Sequence, residues 1–268
     1  MAIPLSEALV LGVAQGIAEF LPISSDGHFM LARMLFGGGA DATMSLFLHL
    51  GVLGAALLVL RRPVGAALVE GLRGVVRPSL LEDTPGGRDA VIVALVTVPA
   101  LVVGLGLLGP AEAWASSPVV VGSCLLGSAL AIGSTHWAPK GDLETPTRWG
   151  ALLVGVAEGA AVLPGLSRTG VTIATLLWLG VRSERAFELS LLASIPAIVV
   201  AEILGARHGL AGDPGVLAMV LGAFVALGAG AASLRLLRDM VTRRSVAVFA
   251  IYLVPVGLAT LAWGYARP

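Results

Sequence analysis

Charge is what this sequence has least of. Asp, Glu, Lys and Arg make up 13% of its 268 residues, about half the share usual in a soluble domain. A chain so short of charge cannot clothe itself in polar surface, so lipid is its expected solvent. Seventeen basic residues balance seventeen acidic ones, which leaves no net field to draw in nucleic acid. Cysteine is nearly absent as well. The single Cys124 lies in the apolar run 119–132, and one thiol excludes an internal disulfide framework. No basic residue precedes the first apolar run, which Glu7, Gln15 and Glu19 interrupt, so a cleavable secretory signal is not expected.

What is present is apolar. Hydrophobic residues account for 57% of the chain, mean hydropathy is +0.93, and the 35 glycines suit membrane helices that approach closely. A bilayer core needs about 20 apolar residues per helix. Six stretches are expected to span it: 44–60 (with room to extend back past Asp41), 89–109, 118–137, 186–206, 215–237 and 246–265. Two further apolar stretches, 4–36 and 148–181, are each broken near the middle. The first break is Pro22-Ile23-Ser24-Ser25-Asp26-Gly27-His28, and the second is Pro164-Gly165-Leu166-Ser167-Arg168-Thr169-Gly170.

The breaks belong to an internal repeat. A shift of 143 residues lays Gly12-Val13-Ala14-Gln15-Gly16 on Gly155-Val156-Ala157-Glu158-Gly159, with Ala18 on Ala161, Ser24 on Ser167 and Gly27 on Gly170. Three spans follow each copy. The expected fold is therefore an all-α integral membrane protein forming one membrane domain. Its halves, about 1–138 and 148–268, are each a broken re-entrant hairpin plus three spans. Three is odd, so the second half enters the membrane inverted. With the N- and C-termini outside, the connections 61–88, 138–148 and 238–245 and the adjoining helix ends carry 13 of the 17 Lys and Arg residues on the cytoplasmic side. Arg33, Arg207 and Arg267 lie outside and Arg168 within the membrane, an asymmetry that the positive-inside rule expects. Inverted repeats with discontinuous helices put their sites near the midplane, so the two breaks are expected to meet there.

Irregular backbone at membrane depth is tolerated only when buried in protein or lining a wet cavity. Each break also starts a new half-helix, and free N–H groups at a helix N-terminus attract anions such as phosphate. Arg168 is the sharpest residue, because a guanidinium in the bilayer needs a partner and its fork matches phosphate oxygens. The plainer alternative is an ion pair with Glu19 or Glu158. Glu19 lies one turn after Gln15, on the same helix face, and can hold a divalent metal, serve as general base, or simply pair with Arg168. Glu158 repeats Gln15, but its i+4 neighbour is Val162, so the halves are not chemically equivalent. Ser25 and His28, three residues apart, are expected on one face as nucleophile and as nucleophile, base or acid. Capping accounts for one of Ser24 and Ser25. His49 reads as a packed histidine in an apolar helix, His136 and His208 as span-end residues, and Asp26 as a helix cap with metal ligation as the alternative. The glycines of 222–230 read as close helix packing.

With those residues in view, the chain resembles the bacterial undecaprenyl-diphosphate phosphatases of the bacitracin-resistance type over nearly its whole length. The resemblance rests on Gln15-Gly16-Ile17-Ala18-Glu19-Phe20-Leu21-Pro22-Ile23-Ser24-Ser25-Asp26-Gly27-His28 and on Pro164-Gly165-Leu166-Ser167-Arg168-Thr169-Gly170-Val171-Thr172. Leu192-Ala193-Ser194-Ile195-Pro196 adds to it. It implies hydrolysis of a C55 polyprenyl diphosphate to the monophosphate, recycling the lipid carrier of cell-wall synthesis. It also implies a multi-pass enzyme of the bacterial inner membrane with a site open to the outer side. It further implies a Mg²⁺ or Ca²⁺ requirement with Glu19 and Gln15 as metal ligands, and Glu19, Ser25, His28 and Arg168 as the catalytic set. Gln15, Ser24, Gly27, Ser167, Thr169, Gly170 and Thr172 are implied to bind substrate. Two departures stand out: Gln15 where many members have Glu, and Asp26 where Thr is frequent. The expected partners are a polyprenyl diphosphate lipid and the bilayer, with room for a homo-oligomer and none for nucleic acid. The rival reading is a transporter of polyprenyl phosphate or a small anion, because inverted repeats with broken helices are also a transporter design.

Overall fold

A computed structural model describes residues 3–36, 42–207 and 214–266; His208, Asp41 and Arg267, named above, lie outside them. The broken stretches fold as the sequence indicates. Helix α1 (Leu5–Phe20) stops at Leu21-Pro22, and α2 (Ser25–Phe36) starts three residues later. In the second copy α8 (Arg148–Ala160) is followed by turns and by α9 (Arg168–Trp178). The expected spans appear as α3 (Ala42–Val59), α6 (Pro85–Trp114), α7 (Pro118–Ser134), α10 (Ser183–Arg207), α11 (Val216–Thr242) and α12 (Phe249–Ala266), the last led by a 3₁₀ turn Val246–Val248. Five of these segments have the length and hydropathy to cross a bilayer, and the protein is a multi-pass membrane protein. The third is shorter than expected: α7 has 17 residues and ends at Ser134, not near 137. At 1.5 Å per residue it still covers about 25 Å.

The connection 61–88 is itself largely helical, a feature the hydropathy pattern did not indicate. It contains α4 (Arg61–Val76) and the short α5 (Leu80–Asp83). Thr84 caps α6, accepting from Gly87 N at 3.1 Å, while Glu70 of α4 accepts from the same N–H and ties α4 to the start of that span. The Thr84 hydroxyl and the Gly87 and Gly86 amides hold the Glu70 carboxyl below its usual range. Three basic connections converge. Arg148 meets Glu82 at 3.2 Å, Arg182 meets Glu144 at 3.0 Å, and Arg185 pairs with Asp89 and Glu188. Arg244 donates to the carbonyls of Ala138 and Pro139.

The repeated glycines explain how the halves dock. A Cβ on Gly12 or Gly16 of α1 would lie 2.6 Å from the carbonyl oxygen of Gly222 or Ala226 in α11. Gly155 and Gly159 of α8 lie in the same way on Val96 and Ala100 of α6, where a Cβ on Gly159 would come within 2.6 Å of the Ala100 oxygen. In each half a glycine pair four residues apart thus seats its helix on backbone of the other half. Gly222, read above as a packing residue, is part of that contact.

Candidate active site

Backbone geometry brings the two breaks together. A Cβ on Gly27, in the first turn of α2, would lie 2.8 Å from Gly165 Cα in the other break. Gly165 itself has φ +104°, a conformation that favours glycine. Its carbonyl accepts from Ser128 Oγ at 3.0 Å, and the same hydroxyl accepts from Ser167 N at 2.7 Å. Both half-helices are capped alike. Ser24 Oγ accepts from Gly27 N and Ser167 Oγ from Gly170 N, each at 3.2 Å. The backbones differ, since Ser24 has φ +68° whereas Ser167 has φ −79°.

At this junction Glu19, at the end of α1, is almost wholly buried and pairs through Oε1 with Arg168, the first residue of α9. Its other oxygen accepts from Ser25 Oγ at 3.1 Å and from Gln15 Nε2 at 3.2 Å. A cavity of about 430 Å³ opens beside them, within the usual size range of ligand sites. Glu19, Ser24, Ser25, Asp26, Ser167 and Arg168 line it together with Leu101, Leu105 and Leu108 of α6 and Ile198 and Leu204 of α10, while Glu112 and Glu202 of the same two helices add carboxylates to the wall. Three buried side-chain atoms have no hydrogen-bond partner among the described residues: both carboxylate oxygens of Glu158 and Nε of Arg168. Glu158 and Arg168 both line this cavity. Unpaired buried polar atoms are costly, and their clustering marks where a polar ligand would be received.

Several expected residues sit elsewhere. The shared face of Ser25 and His28 is not realised at the side-chain tips. His28 Nδ1 donates to the Ser24 carbonyl at 2.9 Å, and Nε2 accepts from Tyr252 of α12 at 2.7 Å, with the rings stacked. Thr172 is buried, donates to the Arg168 carbonyl and meets Ser190 of α10 at 2.5 Å. Thr169 is buried too, and Gly170 packs on Ile132. Gly27, Thr169, Gly170 and Thr172 are therefore cap and packing residues around the break, not part of the cavity wall. Asp26 is not the cap, since Ser24 is, and it lines the cavity instead.

Among the described residues no three His, Cys, Asp or Glu side chains converge as a metal cage. Glu19 has both oxygens engaged, and Gln15 turns its amide nitrogen toward them. These residues do not fit a cation held by protein ligands alone.

The family described as bacitracin resistance protein BacA matches residues 8–259. The chain belongs to this family. Curated BacA-like relatives include proteins named undecaprenyl-diphosphatase from Desulfosudis oleivorans, 36% identical over 265 residues that cover 95% of this chain and 97% of the relative. Others are from Korarchaeum cryptofilum, at 32% over 96% and 98%, and Bacteroides fragilis, at 30% over 95% and 96%.

Two residues at this BacA-type site escaped the sequence reading. His49 of α3 is a cavity residue, not merely a packed one. Its Nε2 lies 3.0 Å from Gln15 Nε2, and its Nδ1 lies 3.5 Å from Glu202 of α10. Histidine and glutamate inside otherwise apolar spans were the available signal, since ionisable groups there are functional by default.

Proposed function

We propose that the protein hydrolyses undecaprenyl diphosphate to undecaprenyl phosphate and phosphate, acting on the lipid carrier of cell-wall synthesis. The observation that carries this reading is the Arg168–Glu19–Ser25 contact at the junction of two half-helix N-termini, beside a cavity whose wall mixes polar groups with leucines of α6 and α10. The terminal phosphate sits against Arg168, whose Nε is unpaired, with the N-terminal N–H groups of α2 and α9 facing it. Ser25 attacks the terminal phosphorus as its proton passes to Glu19 Oε2, 3.1 Å away. The bond to the bridging oxygen breaks and undecaprenyl phosphate leaves. Glu19 hands that proton to the departing lipid phosphate, takes another from the water that attacks the phosphoserine, and returns it to Ser25 Oγ as inorganic phosphate leaves. Such transfer depends mostly on positioning and charge neutralisation, which this set supplies. His28, held by Tyr252, steadies the first turn of α2. The lipid tail follows the leucines of α6 and α10 toward the bilayer.

Glu19 and Asp26 are the carboxylates that would contact a Mg²⁺ or Ca²⁺ ion, whose charge would offset that of the diphosphate. The enzyme resides in the bacterial inner membrane with both termini outside. The convergence of Arg148, Arg182, Arg185 and Arg244 at one set of connections supports the cytoplasmic placement of that end. The glycine pairs that dock each half on the other support an inverted repeat. The reading is tested by phosphate release from a polyprenyl diphosphate in detergent. Glu19→Gln should lower turnover at least about 10²-fold, and a wild-type protein that releases no phosphate would point to a carrier instead.

A further inference from the structure

A row of hydrogen bonds leads away from Ser25 through four helices. Ser25 of α2 donates to Glu19 of α1, and Gln15 Nε2 donates to the same carboxylate oxygen. The same amide nitrogen lies 3.0 Å from His49 Nε2 on α3. His49 Nδ1 lies 2.9 Å from the Ser45 carbonyl and 3.5 Å from Glu202 of α10.

The chemistry of these groups orders the row. A carbonyl oxygen only accepts, so the proton of the His49 ring is on Nδ1 and Nε2 is bare. A bare Nε2 accepts, so the Gln15 amide must turn its NH₂ toward it. An NH₂ group has two hydrogens, and the second is then directed at Glu19. Were the amide reversed, its oxygen would face both a carboxylate oxygen and a bare imidazole nitrogen, two repulsive contacts in place of two bonds.

We propose that His49 is a positioning residue for the phosphatase reaction. Through Gln15 it orients the Glu19 carboxylate so that Oε2 takes the Ser25 proton while Oε1 holds Arg168. Ser45 and Glu202 set the His49 tautomer from behind. The role rests on the phosphatase reading and extends it to a residue outside both sequence motifs. It also gives the glutamine at position 15 a task that a second carboxylate could not perform, since a carboxylate donates nothing to Glu19.

The test is steady-state phosphate release from a polyprenyl diphosphate by the detergent-solubilised full chain, normalised to folded protein. The variants are His49→Phe, His49→Gln, Gln15→Leu and the Gln15→Leu/His49→Phe pair. Loss of a group that holds a catalytic one costs about 10- to 100-fold. His49→Phe is expected to lower kcat by that factor while KM stays within about twofold. His49→Gln, whose amide oxygen can accept, recovers most of the loss. The double variant is no slower than Gln15→Leu alone, because either change breaks the same link. His49→Met, flexible and without a comparable acceptor, replaces the phenylalanine variant if that one does not fold. Wild-type kcat in the Phe or Met variant, or losses that multiply in the double variant, would overturn the assignment. No phosphate release from the wild type would defeat the phosphatase reading itself.

Discussion

Ser24 and Ser25 are adjacent, yet their hydroxyls face different tasks, and separating them is a demanding test of the site. Ser24→Ala deletes the bond to Gly27 N, a helix-cap loss of about 1 kcal/mol. The backbone at Ser24 is left-handed, with φ +68°, and costs a non-glycine residue roughly 1–2 kcal/mol. Alanine keeps that cost, so the expected destabilisation is the cap alone. Ser24→Gly sheds the backbone cost and gives up only a few tenths of a kcal/mol as a cap, so it should melt at or above the wild-type temperature. Neither change removes a group from the Glu19–Arg168 contact, and turnover should fall less than about tenfold, the equivalent of 1.4 kcal/mol. Ser25→Ala is the reverse case. Glu19 Oε2 keeps its bond from Gln15, so stability should change by about 1 kcal/mol or less, while phosphate release should drop by at least about 10²-fold. Detergent melting curves and phosphate release at saturating substrate measure both quantities. Inactive Ser24→Ala beside active Ser25→Ala would exchange the two roles, and full activity in both would leave attack to water.

Arg168→Lys should fold, since lysine can keep the ion pair with Glu19, but lose roughly 10²- to 10³-fold in turnover because the planar bidentate fork is gone; normal turnover would make Arg168 a structural partner only. Gly16→Val places a side chain where a Cβ would already lie 2.6 Å from the Ala226 oxygen and 2.7 Å from Gly230 N. It should destabilise the protein by about 1–3 kcal/mol or more, read as a lower melting temperature, and an unshifted melt would refute the glycine docking. In a Cys124→Ser background, a cysteine at position 73 should resist an impermeant thiol reagent applied from outside, and prompt labelling would reverse the proposed topology. Chelation by EDTA should slow phosphate release, with Mg²⁺ or Ca²⁺ restoring it; an unchanged rate would remove the cation from the reaction.

Membrane architecture was legible in the chain because the bilayer imposes it locally. A span must be a run of about 20 apolar residues, and a broken helix at that depth must be sheltered. Apolar runs therefore located a helix at each of the six expected spans, five of them long enough to cross, and the Pro/Ser/Gly clusters located both breaks. The repeat was visible because Gly12, Gly16, Ser24 and Gly27 have counterparts 143 residues later. Ser24 and Ser167 do cap their half-helices in the same way, a contact of three residues that sequence spacing can anticipate. The α4 helix was missed because its charged surface, with Arg61, Arg62 and Arg73, lacks the hydropathy of a span.

Tertiary structure decided which polar groups meet. Arg168 had two candidate acids, and packing chose Glu19, leaving Glu158 buried without a hydrogen bond. That choice depends on how α1 and α8 seat on α11 and α6, through contacts between residues far apart in the chain. His28 shares a helical turn with Ser25, but a side chain's direction is set by its neighbours, and Tyr252, 224 residues away, claims it. His49 read as a packed histidine and Glu202 drew no reading at all, because what gives them meaning is each other and Gln15. Spacing along one helix reports faces, whereas a site at a junction of four helices is made by distances between them, which only the folded chain contains.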